Sequence, residues 1–97
     1  MFKNAIRKYE IGLRNLEIRQ ELQKIDAENP LGVCHKNTLL RAIELGEELY
    51  DLAVELREIF RKEGNEEFMK IEDSLLSQFE NAIWNLKMDL ELGCYLP

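Results

Sequence analysis

Cysteine occurs only twice, at Cys34 and Cys94, and histidine once, at His35. Two cysteines do not build the disulfide framework that staples small secreted domains, and the chain opens Met1-Phe2-Lys3-Asn4-Ala5 rather than with a charged leader and an apolar signal core. A cytoplasmic location is therefore expected. A structural zinc site takes four ligands, more than Cys34, His35 and Cys94 supply, and a single histidine leaves no Cys-His-acid arrangement. There is no phosphate-cradling glycine loop and no Gly-x-Ser-x-Gly turn, so no cofactor and no catalytic residue is expected. No apolar run reaches the roughly 18 residues of a membrane span.

What is present is a helical composition of 45% hydrophobic and 33% charged residues over 97 positions, enough for one core. The net charge of -6 is uneven. Residues 1–26 hold six basic and four acidic side chains, whereas residues 37–63 hold four and seven, and residues 64–97 two and seven. An acidic total argues against direct nucleic-acid binding, which draws its affinity from clustered Lys and Arg. The basic first segment suits a helix laid across acidic neighbours.

Hydrophobic periodicity predicts an all-α fold, a small antiparallel three-helix bundle forming one domain. The first helix is expected over about 2–26, ended by Asn29-Pro30, with a loop over 27–36. Asn37 or Thr38 is expected to cap a second helix over about 38–63, stopped at Gly64. Asn65 should cap a third over about 65–92, with Gly93 opening a short tail over 93–97. The second helix is apolar over more than half its circumference, so it should touch both others. Its small residues Ala42, Gly46 and Ala53 lie on one line that admits a close neighbour.

The first helix carries two stripes. Phe2, Ile6, Tyr9, Leu13 and Leu16 share one face, and Ile11, Ile18, Leu22 and Ile25 share a roughly opposite one, at about 100° per residue. A single bundle buries one side only. Either a kink at Gly12 folds both stripes onto one core, or half of the helix packs on a second copy or another protein. We expect the second, with the Phe2-to-Leu16 stripe facing the core and Ile11, Ile18, Leu22 and Ile25 binding the partner. Trp84, Met88 and Leu92, spaced by four on the third helix away from its main stripe, are a further candidate partner surface. Coverage of Trp84 by the first helix is the competing reading.

Glu44, Glu47, Glu48, Asp51, Glu55 and Glu58 form an acidic face on the second helix. Carboxylates at this spacing can bind Mg²⁺ jointly. The segment Glu44-Leu45-Gly46-Glu47-Glu48-Leu49-Tyr50-Asp51 resembles the first metal motif of the all-α nucleotide pyrophosphohydrolases of the MazG type. That resemblance implies Mg²⁺ held over a triphosphate, but the family's second Glu-x-x-Asp motif has no counterpart here. The Leu and Glu pattern from Leu39 to Leu86 also resembles the helical hairpin of phage proteins that sequester cyclic nucleotides. The reading these features favour is a non-enzymatic helical interaction module, an inhibitor or adaptor of the phage or mobile-element kind, that binds a partner protein or itself. A Mg²⁺-dependent hydrolase and a nucleotide-sequestering protein are the alternatives.

Overall fold

A computed structural model describes residues 2–97, and it is all-helical. Helix α1 spans Phe2–Glu28, α2 Lys36–Lys62 and α3 Glu66–Leu92. The boundaries follow local chemistry. Asn65 accepts a hydrogen bond from the Phe68 amide through its side chain, capping α3. Gly64 and Gly93 take left-handed φ angles of 71° and 70°, which a glycine adopts without Cβ strain. The start of α2 departs from expectation: His35 is the N-cap and makes no side-chain capping bond, so neither Asn37 nor Thr38 caps this end. The tail is tied back to the connecting loop, where the Leu96 amide donates to the Cys34 carbonyl at 2.8 Å.

Helix α2 is the spine of the molecule. It packs against α1 on one side and, more extensively, against α3 on the other, while the backbones of α1 and α3 stay apart. Arg57 pairs with Asp73 and Glu47 with Lys87, which sets α2 and α3 antiparallel. The close approach expected at the small residues of α2 is realised at Gly46, where a Cβ would lie 3.1 Å from Ile83. The buried centre is formed by Ile18, Leu45 and Leu49, with Leu22, Ile25, Leu52 and Phe79 packed against it. Three 27-residue helices lie side by side, and α1 reaches α3 only through side chains such as Arg19 over the Phe79 ring, so the molecule is long, 50 × 20 × 17 Å. Its radius of gyration of 15.4 Å exceeds the roughly 12 to 13 Å of a compact domain of this length.

Candidate functional site

Helix α1 is one continuous helix through Gly12, with no break that would fold both stripes onto one core. It buries the stripe that was expected to bind a partner. Ile11 is 1% and Ile18 0% exposed, and Leu22 and Ile25 pack on the same cluster within their own chain. The stripe expected to face the core is the open one, with Phe2 82%, Ile6 61% and Tyr9 69% exposed and Leu13 and Leu16 about half exposed. The assignment of Ile11, Ile18, Leu22 and Ile25 to a partner surface is therefore corrected, and the free apolar face of α1 runs from Phe2 to Leu16.

The physical reason is electrostatic. Arg7, Arg14 and Glu21 recur every seven residues along the flank of the Ile11-Ile18 stripe. They meet Glu55, Glu48 and Arg41, which recur every seven residues in the opposite direction along α2. Arg7 Nη2 donates to Glu55 Oε1 at 2.7 Å, and Arg14 Nη2 to Glu48 Oε1 at 2.8 Å. In both pairs the guanidinium Nε bonds the other carboxylate oxygen, giving two-pronged geometry. In the third pair the signs are exchanged, with Arg41 Nε donating to Glu21 at 2.7 Å. Lys8 adds a contact to Glu63 at 3.0 Å. Only this face of α1 can offer its long charged side chains to α2 while sinking isoleucines between the helices.

This arrangement accounts for most of the acidic face of α2. Glu48 and Glu55 are held by arginines of α1, Glu58 by Arg61, Glu44 by Arg41 and Glu47 by Lys87 at 3.5 Å. Hydrogen bonds from Arg14, Arg7 and Arg61 hold the Glu48, Glu55 and Glu58 carboxyls below their ordinary range. Asp51 and Glu47 line a shallow depression of 220 Å³ shared with Tyr50 and Glu80. Among the described residues no three His, Cys, Asp or Glu side chains converge as a metal-holding group. Of the carboxylates that resemble the pyrophosphohydrolase motif, Glu48 and Glu47 join α2 to α1 and α3, whereas Glu44 pairs within α2.

On α3, Trp84 is 62% exposed and Leu92 is exposed, whereas Met88 is half-buried. Helix α1 does not cover Trp84. Glu72, on the inner face of the same helix, is 8% exposed, and burial pushes its carboxyl upward, opposed by the nearby Arg19 charge.

The separation of α1 from α3 leaves a groove of about 610 Å³ at the end of the molecule where α1 finishes and α2 begins. Leu39, Ala42, Gly46 and Leu49 of α2 floor it, and Leu22 and Phe79 form part of its walls. Sequence periodicity could not show this groove, because it arises from how far apart two helices stand and not from the face either presents. Among the described residues no helix is long and apolar enough to cross a membrane. Compared with models of known protein families, with curated proteins and with solved structures, the chain matches none.

Proposed function

We propose that this chain is a non-enzymatic helical interaction module and that its docking face is the Phe2-to-Leu16 stripe of α1. The observation that supports this reading is the exposure of five large apolar side chains along one line of one helix. Together they present roughly 500 to 600 Å² of apolar surface, at the upper end of what a monomer usually leaves uncovered, and patches of that size commonly mark binding sites. Much of what offered chemistry in the sequence also has a structural use. Glu48 and Glu55 tie α1 to α2, Glu47 ties α3 to α2, and Ile18 of α1 lies in the core. Trp84, Met88 and Leu92 provide a second, smaller surface on the far side of α3. An inhibitor or adaptor role, in which a helix face occupies a groove of another protein, is the kind of function this surface suits.

The test is retention of protein by the immobilised chain, wild type against Leu13→Asp. The wild type should retain a protein partner, a further copy of itself included, and the variant should lose it while keeping the same helical signal. Equal retention by both would overturn the reading, as would Mg²⁺-dependent release of pyrophosphate from a nucleoside triphosphate abolished by Glu48→Gln.

A further inference from the structure

We infer that the occupant of the Phe2-to-Leu16 face is the same face of a second copy, with the two α1 helices running antiparallel. This rests on the reading of that face as a docking surface and names its partner.

The stripe is spaced four, three, four and three residues apart, the repeat of a two-helix coiled-coil seam, and it extends over about 21 Å of helix. Packed on itself, it places Ile6 against Leu16 of the second copy and Tyr9 against Leu13, each pair occurring twice. The positions bordering the seam decide the direction. Antiparallel packing sets Lys3 opposite Glu17 of the other copy, also twice. Parallel packing sets Ala5 opposite Glu10 and Gly12 opposite Glu17, with no opposite charges in either. Lys3 has no ion-pair partner among the described residues, and Glu17 has only a 3.5 Å contact with Arg14, so both are available for this pairing. In the same register Gly12 faces Gly12 across the twofold axis, and a Cβ built there meets nothing within 4 Å in the single chain. A glycine in a helix interior costs about 1 kcal/mol relative to alanine, and here it leaves the two backbones room to approach at the axis. Glu10 opposite its own copy is the one like-charged contact. In this register Phe2 meets Gln20 of the other copy, so full coverage of both stripes, roughly 1,000 to 1,200 Å², is the upper bound on the buried area, set beside a lower limit of about 1,000 Å² for a specific interface.

Sedimentation equilibrium of the whole chain reads the outcome. At about 100 µM, well above a micromolar dissociation constant, the wild type should sediment near twice its 11.5 kDa mass. Leu13→Asp should return to the single mass with its far-UV spectrum unchanged, a weakening of at least about tenfold. Direction is read by disulfide trapping in a Cys34→Ser, Cys94→Ser background. A mixture of the Lys3→Cys and Glu17→Cys chains should crosslink far more than either alone. A wild type that stays at the single mass overturns the inference, and so does trapping of each variant mainly with itself. If the wild type is monomeric yet Leu13→Asp still abolishes retention of another protein, self-pairing fails and the docking face stands. If Leu13→Asp changes neither, both fail.

Discussion

Arg14 of α1 and Glu48 of α2 form a two-pronged ion pair across the interface that buries Ile11 and Ile18, and this pair lies between two others of matching spacing. The sign exchange in the Glu21–Arg41 pair makes the ladder a register device. Sliding α1 by one heptad puts Arg14 opposite Arg41 in one direction and Glu21 opposite Glu48 in the other. Each displaced state contains a like-charged contact where the native one has a bidentate pair.

Charge exchange should therefore be reciprocal. Arg14→Glu should lower the urea midpoint and Glu48→Arg should do the same, while the double variant recovers most of the loss, an interaction visible in a double-mutant cycle. Simple additivity of the two losses would show that the pair does not define the interface.

The two helical glycines should respond oppositely to alanine. At Gly12 a Cβ meets open space, so Gly12→Ala should stabilise the dilute single chain by up to about 1 kcal/mol through helix propensity. At Gly46 the new methyl lies 3.1 Å from Ile83, and the crowding should cancel or reverse that gain. Thermal melts compare them directly, and equal stabilisation by both would contradict the close approach of α2 and α3.

Acid should act on the carboxylates in two directions. Glu21, Glu48, Glu55 and Glu58 are held below their ordinary value of 4.5 by their arginines. Each contributes stability that is full above the unfolded value and is lost as pH falls through the lowered folded value. Glu72 is raised by burial, so its ionised form is disfavoured in the fold at neutral pH, a cost relieved as pH falls through its raised value. Glu72→Gln should consequently raise the urea midpoint at pH 7 and raise it less at pH 4. A drop at pH 7 would show that the Glu72 charge is used, with Arg19 as the nearest candidate partner.

Trp84 should emit as an exposed indole, red-shifted and open to iodide quenching, and Trp84→Ala should change folding stability by less than about 1 kcal/mol. A blue-shifted, protected tryptophan in the dilute chain, or a loss of 3 kcal/mol or more of the kind seen for core aromatics, would mean that α1 crosses α3 after all.

The helices and their turns were legible from local chemistry: Pro30 beyond α1, Gly64 between α2 and α3, Asn65 at the N-cap and Gly93 at the C-cap act within a few residues of where they stand. Which side of α1 faces inward was not. Its two stripes are comparably apolar, and Arg7 and Lys8 beside Ile11 suit a helix laid across acidic neighbours without fixing which face meets them. They become marks of the interface only when set against Glu55 and Glu63, far along the chain. The signal was in the sequence as two complementary heptads of charge in reverse order, and it lies between helices. The ion pairs of the acidic face were not legible for the same reason, since Glu48 and Glu55 take their cations from α1 and Glu47 takes its own from α3.

The most direct measurement compares aspartate on the two faces of α1 by far-UV circular dichroism of dilute protein. Ile18 is fully buried, so Ile18→Asp places a charge in the core beside Leu45 and Leu49 and should abolish the cooperative melt. Leu13 is 45% exposed, so Leu13→Asp should melt with the wild-type amplitude and at nearly its midpoint. A folded Ile18→Asp chain together with an unfolded Leu13→Asp chain would reverse the faces and contradict the assignment of the free surface to Phe2 through Leu16.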